Sequence, residues 1–595
     1  MSLLLAATLL AASAPLRAVV LVDGSAATAR DAEAAVTRVG GTVAHRFDGL
    51  LLAALDDSGA RRLFRAPSIR DVTLGALPRE RERGRSEAFR AALRGWNGGA
   101  FDPRPVTGAP PRQPEPAHAW VPPVAGTGGG SVTAATSSEG LPYGATPSNT
   151  SEYLAGRVAI NVLLVESDGT IDLPTESWTA ERESAVLASV VAACEWLRLQ
   201  EPQARLSFDY RLIAGRTDAR ARTSYEPIRR PADPRGTAGE ALWSSEILAK
   251  MGHASGDRFA RSRALADATR REVGADWGLN VFVADSFADA DGRFPDGYYA
   301  WTWVGGPHVV ATWDNGAWGS ARFDQVLRHE LLHAFWAFDE YATSGCTCQE
   351  SRGYLDGRGL NCDACNMSAV PCVMISNGDA MCAHTRRQIG WADLDGDGVI
   401  DVAGEDPDTF FDGDAVPASP VCGAVALRGS ASVVAPTNRN PILTTPRSSI
   451  SLARVAAVEW RVDGAPWVPA VPEDGAFDAP VERFAVTVPS GPGSRLVEVR
   501  SRDTWSNADP APERATLEAA APASDVGDSL RVESGATLAW RTVPGAVAYR
   551  VYRAPASPGP WSLVAEVTFP AHGDAVGTDG YFRIRAVDAC GREAD

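Results

Sequence analysis

Two histidines four residues apart with a glutamate between them, His329-Glu330-Leu331-Leu332-His333, are the side chains of this sequence best spaced for chemistry. They sit in FDQVLRHELLHAFWAFDEY, whose apolar spacing predicts a helix. On a helix the two imidazoles lie about 40° apart around the axis and one turn apart along it, so both can reach one metal ion. Glu330 falls beside them, where it can take a proton from a metal-bound water. A catalytic zinc also needs a third protein ligand and an open position. Asp339, Glu340 and the later Glu350 are the carboxylates that follow as candidates for it.

That expectation makes a demand on the backbone. If the helix ran on, Asp339 would lie about 80° away from His329 and roughly 15 Å along the axis, out of reach of the metal. The chain must therefore leave the helix near Trp336.

Further groups with ligand chemistry follow the helix. In ADLDGDGVID, Asp393, Asp395, Asp397 and Asp401 fall at alternating positions of an oxygen-rich loop with Gly398 at the turn, the pattern of a calcium site. The twelfth position is Gly404 rather than the bidentate glutamate of an EF-hand. Six of nine cysteines, Cys346, Cys348, Cys362, Cys365, Cys372 and Cys382, crowd between helix and loop. In an oxidising compartment they are expected to form disulfides, with a structural zinc on the Cys346-x-Cys348 and Cys362-x-x-Cys365 pairs as the alternative. Cys194 reads as a buried core thiol; Cys422 and Cys590 have no assigned partner.

The elements that must position these groups belong to a multidomain chain. Its 595 residues predict roughly three to five domains. A formal charge of −17 argues against nucleic acid or an anionic membrane as partner. Residues 1–14 read as a signal peptide, which with the cysteines predicts a secreted, extracellular or periplasmic protein. No later apolar run is long enough to span a bilayer, and a monomer is expected. Residues 18–76 read strand, helix, strand, strand, helix, strand, a small α/β module, and 77–153 as a linker that becomes rich in Pro, Gly, Ser and Thr. Residues 154–392 alternate strands and helices, predicting an α/β domain. Just before the histidines, YYAWTWVGGPHVVATWD reads as a hairpin turning at Gly305-Gly306-Pro307, a candidate edge strand lining a cleft. Residues 393–420 form the acidic region, and 425–520 and 525–595 have the short alternating strands of two β-sandwiches.

Several of these stretches resemble known families. His329, Glu330, His333 and Asp339 match the metzincin family of zinc peptidases, whose pattern is H-E-x-x-H-x-x-G-x-x-H followed by a Met-turn, with Trp336 in place of the glycine and Asp339 in place of the third histidine. AFDEY is also similar to a segment of secreted bacterial immunoglobulin-degrading peptidases. The resemblance covers residues 157–391 and implies zinc on His329, His333 and Asp339, Glu330 as general base, and Met374 in PCVM as the Met-turn. It further implies a peptide or protein substrate, with Tyr341 and His384 as candidate oxyanion helpers. A thermolysin-like arrangement would draw its third ligand from a later glutamate. The 18–76 module resembles subtilisin-type prodomains in pattern, which implies either a cover for the site or an ordinary structural module. Residues 525–595 resemble a fibronectin type III domain through Trp540 and the strands around AYRVYR and Tyr581. The expected function is a secreted zinc metalloendopeptidase. A calcium-stabilised surface adhesin with a structural or vestigial metal site is the alternative, and a hydrolase of non-peptide amides is a third reading.

Overall fold

The computed structural model describes residues 14–102, 140–443, 447–489, 493–533, 537–573 and 580–594. All but the last residue of the expected signal peptide, and residues 103–139 of the expected linker, lie outside the described residues. The chain divides into two compact units, residues 1–404 with 435–452, and residues 405–434 with 453–595.

The first unit is built on a ten-stranded sheet: β1 (Leu16–Leu21), β2 (Thr42–Phe47), β3 (Leu50–Ala54), β4 (Ile69–Thr73), β5 (Arg157–Ser167), β6 (Ser207–Ala214), β7 (Arg222–Thr223), β8 (Trp277–Ala284), β9 (Ala300–Thr302) and β10 (His308–Thr312). The order is β4-β1-β3-β2-β6-β5-β8-β10-β9, with β7 beside β5. β5, β6, β8 and β10 run parallel and β9 closes the edge antiparallel to β10. β8, WGLNVFVA, is buried along its whole length, as a parallel strand covered on both faces must be. Helix Ala180–Gln200 starts at Thr179, whose hydroxyl accepts from Arg182 N, and lies between helix Glu87–Asn97 and the His329 helix.

The N-terminal module has the expected element order, but it continues the main sheet. β2 pairs in parallel with β6, His45 opposite Phe208 and Arg46 opposite Asp209. The buried His45 ring bridges Glu195 (Nε2, 2.8 Å) and the Tyr210 hydroxyl (Nδ1, 2.9 Å) across this seam. β2 stands four strand spacings from β10, about 19 Å. The module thus extends the sheet on the side away from β10 and β9.

Two expected boundaries move. Residues 77–102 and 140–153, expected as parts of a linker, are folded into the first unit. Helix Glu87–Asn97 is capped by Ser86 and buries Phe89, Ala91, Ala92 and Leu93, and Tyr153 is fully buried. Residues 435–452, expected within the first sandwich, also belong to the first unit. There the Tyr354 hydroxyl donates to Pro436 O (2.7 Å) and accepts from Ile450 N (2.6 Å). Long-range side-chain to backbone bonds of this kind leave no trace in local composition.

The second unit is all β. One four-stranded sheet contains Asp408–Phe411, Val425–Ser432, Val471–Pro472 and Val481–Val488, so part of the expected acidic region is a strand. Its partner sheet contains Val455–Val462, Val468–Pro469, Ser494–Asp503 and Glu513–Glu518. Two three-stranded sheets follow, and Leu538, Trp540, Tyr549, Val551, Ile584 and Ala586 from both form one core. Cys422 and Cys590 pair as a disulfide within this unit.

Candidate metal centre

The His329 helix spans Phe323–Ala334, and every residue of it is buried. Its polar side chains include several with partners. Arg328, for one, donates to Asn377 O (3.0 Å), pairs with Asp379 (2.9 Å) and lies over the Trp196 ring.

The helix stops five residues before Asp339. Trp336 N–H donates to His333 O and Ala337 N–H to Leu332 O, both at 3.0 Å. This pair of bonds is the Schellman ending, with Trp336 at the left-handed position (φ +79°) that glycine usually takes. Room for the indole comes from the facing hairpin. A Cβ on Gly305 would stand 2.5 Å from Trp336 Cζ2, and Gly305 N–H donates to His333 O at 3.0 Å. The chain then runs back along the helix, fixed by Phe338 N–H to the Gln388 side chain (2.9 Å) and Glu340 N–H to Met374 O (3.0 Å).

This return brings Asp339 Oδ1 to 3.0 Å from His329 Nε2 and 3.1 Å from His333 Nε2, while the two Nε2 atoms are 3.1 Å apart. Ligands about 2.0–2.1 Å from a tetrahedral zinc stand about 3.3 Å from one another, so the three atoms form one near-complete face of such a site. Both Nδ1 atoms are engaged by carbonyls, His329 with Val373 O (3.1 Å) and His333 with Ala337 O (2.8 Å). That places the ring protons on Nδ1 and leaves the Nε2 lone pairs facing Asp339. Burial disfavours charge on Asp339, but the attraction of His333 and hydrogen bonds from both rings outweigh it and hold the carboxyl well below the usual range. The donor set fits zinc.

Glu330 lies in the same buried space, its Oε2 accepting from the Thr302 hydroxyl of β9 at 2.7 Å. Burial, against the lowering by His329 and Thr302, pushes its carboxyl up to about 7. Tyr299 and Tyr341 also face this space. Burial first, and then the charges of Glu330 and Asp339, push both phenols up. Thr302 and Tyr299 lie in the hairpin read from sequence as an edge strand, but nothing in their spacing marks them individually.

The rival ligands are elsewhere. Glu340 turns away to Asn361 Nδ2 (2.7 Å) and the Thr385 hydroxyl (2.9 Å). Glu350 is exposed and pairs with Arg352. Met374 is buried; the Val373 carbonyl meets His329 Nδ1 and the Met374 carbonyl accepts from Glu340 N–H. His384 lies on the short helix Ala383–Gln388.

The cysteine cluster resolves into two disulfides, Cys346–Cys362 and Cys348–Cys365, so these four form no zinc ribbon. Cys372 and Cys382, expected as a third disulfide, are buried thiols, as is Cys194, whose burial pushes it up to about 12. In the acidic loop, Asp393, Asp395 and Asp401 bring one oxygen each to within 4.8 Å of one another. Asp397 instead accepts from Val399 N–H (2.7 Å).

No protein-family model and no curated protein matches the chain. Among solved structures, the sulfane dehydrogenase SoxCD of Paracoccus pantotrophus aligns over 18% of this chain and 24% of its own at 17% identity, TM-score 0.14. The FN1–FN3 domains of chicken CNTN1 align over 32% of this chain and 62% of theirs at 14% identity, TM-score 0.16. Domains A168–A170 of titin align over 32% and 63% at 12% identity, TM-score 0.19. Each alignment covers less than two thirds of the matched chain.

Proposed function

We propose that this chain is a secreted zinc-dependent endopeptidase of the metzincin kind. The observation that carries the reading is the convergence of His329 Nε2, His333 Nε2 and Asp339 Oδ1, with Glu330 buried beside them on Thr302. His329, His333 and Asp339 would hold the ion, which when bound supplies Lewis acidity toward a water and a peptide carbonyl. Glu330 is a buried carboxylate beside this face that the ligand set does not use. It accepts the proton of the attacking water and returns it to the leaving amine, and Thr302 fixes which oxygen does so.

β9 is the last strand of the sheet and pairs only with β10 among the described residues. Its outer edge suits an extended peptide held by main-chain pairing, which favours peptide over other amide substrates. Three disulfides support export to an oxidising compartment. Among the described residues no helix is long and apolar enough to cross a membrane. Asp393, Asp395 and Asp401 support a structural calcium. In the second unit, the paired sheets fit an Ig-like and a fibronectin type III-like module, the latter around Trp540 and Tyr549, whose rings meet edge-on at 5.4 Å.

The test is Glu330→Gln, which keeps size and the Thr302 contact but cannot take the proton. The variant should fold, keep zinc on the histidines and lose about 100-fold or more in cleavage rate on an unfolded protein substrate. Full activity in that variant would sink the reading.

A further inference from the structure

Behind the His329 centre, a second group of ligand atoms is gathered that the proposed reaction does not use. Cys372 Sγ, Cys382 Sγ and a Glu340 oxygen lie within 4.8 Å of one another, all three residues buried. Cys382 Sγ is 3.3 Å from Glu340 Oε1. The Thr385 hydroxyl stands 3.2 Å from Cys372 Sγ, 3.5 Å from Cys382 Sγ and 2.9 Å from Glu340 Oε1.

Two features point to a cation. First, Glu340 is wholly buried, and among the described residues no lysine, arginine or histidine forms an ion pair with it. Its oxygens meet only Asn361, Thr385 and the Cys382 thiol. Buried carboxylates are as a rule paired with a cation or bound to a metal, because desolvating an isolated one costs several kcal/mol. Second, both sulfurs accept backbone N–H groups, Cys372 Sγ from Cys382 (3.4 Å) and Cys382 Sγ from Thr385 (3.3 Å). These donors stabilise charge on sulfur in the way outer partners support metal ligands. A disulfide between the cysteines would leave the buried carboxylate without its cation.

We propose that Cys372, Cys382 and Glu340 bind a second, structural zinc ion, with Thr385 Oγ1 at the fourth corner. Sulfur ligands at 2.3 Å and oxygen ligands near 2.1 Å from a tetrahedral zinc put sulfur about 3.6 Å from oxygen, close to the 3.2, 3.3 and 3.5 Å seen. Binding replaces the two thiol protons, which pass to solvent. Glu340 follows Asp339 in the chain, and Cys372 precedes the Val373 carbonyl that holds His329. The ion therefore ties the returning strand to the Met374 segment and stiffens the first centre from behind. The inference stands on its own residues and does not depend on the peptidase reading.

Zinc content and cobalt substitution of the full chain test it together. The wild type should hold two zinc ions, and both C372S/C382S and H329A/H333A should hold one. The cobalt-loaded wild type and H329A/H333A should show a sulfur-to-cobalt charge-transfer band in the near ultraviolet, absent from C372S/C382S, since the His329 centre has no sulfur ligand. If C372S/C382S fails to fold, titrating the zinc-loaded wild type with an organomercurial should release one equivalent of zinc while the other stays bound. A Cys372–Cys382 disulfide in peptide maps of the isolated chain, a charge-transfer band that survives C372S/C382S, or no zinc released by the mercurial would each overturn the second site. None of these outcomes bears on the His329 centre, whose own zinc is read from C372S/C382S.

Discussion

Trp336 carries the most direct test, because a tryptophan there does what glycine would be expected to do. It holds φ at +79° with its indole buried against Gly305. Two effects oppose one another. A left-handed backbone costs a side-chain-bearing residue about 1–2 kcal/mol. Burying an indole removes some 150–250 Å² from water, worth about 4–6 kcal/mol at 25 cal/mol per Å². Packing should win, so Trp336→Gly should destabilise the first unit by about 3–4 kcal/mol although it removes the backbone strain. Trp336→Ala loses the same packing and keeps the strain, so it should be less stable than the glycine variant by a further ~1 kcal/mol. The reverse substitution across the contact, Gly305→Ala, drives a methyl group to 2.5 Å from the ring and should also destabilise. Urea titration followed by the helical circular dichroism signal reads this unit, because among the described residues every α-helix lies in it. An alanine variant as stable as the glycine variant, or more so, would refute the claim that the left-handed turn at 336 is what ends the helix. The glycine variant should still bind zinc at the histidines, since its backbone preference matches the turn.

Three other outcomes follow. Asp339→Asn removes the anionic ligand, so zinc affinity at the histidines should fall by more than the roughly 10–100-fold that loss of an outer partner costs; competition with a chelator measures it. Burial, against the pull of Glu195, lowers the pKa of His45, the ring between β2 and β6 that also touches Tyr210 and lies near Arg46 and Arg198. Below its ordinary value near 6.5 the unfolded chain takes a proton that the folded chain refuses. Stability should therefore fall with pH from that point, by up to about 1.4 kcal/mol per unit, and His45→Gln should flatten the slope in urea titrations at a series of pH values. Calcium at about 100 times its dissociation constant should stabilise the chain by about 2.7 kcal/mol, seen as a higher melting temperature, and an Asp393→Asn, Asp401→Asn double variant should abolish the shift.

What could be read in advance divides along physical lines. The His329 helix, the hairpin before it and the element order of the N-terminal module depend on local periodicity and turn residues, and each is found where the residues implied. The joining of β2 to β6, the return of residues 435–452 to the first unit and the Cys422–Cys590 pair depend on contacts between residues far apart in the chain, which no local pattern encodes. The third ligand falls between the two. Asp339 could be named from the resemblance to the metzincin pattern, but only on condition that the helix broke.

That condition explains how a tryptophan can stand at 336. A tight turn needs a residue able to reach positive φ and space for the chain that crosses it, and a glycine at 336 would supply both at once. Here the two needs are separated. Gly305 supplies the space by having no Cβ, and the indole of Trp336, by filling it, pays for the backbone angle. A tryptophan can therefore stand at 336 because a residue 31 places earlier compensates. A sequence carrying a large residue at 336 without a small one at 305 should not be able to bring a carboxylate at 339 back to the histidines.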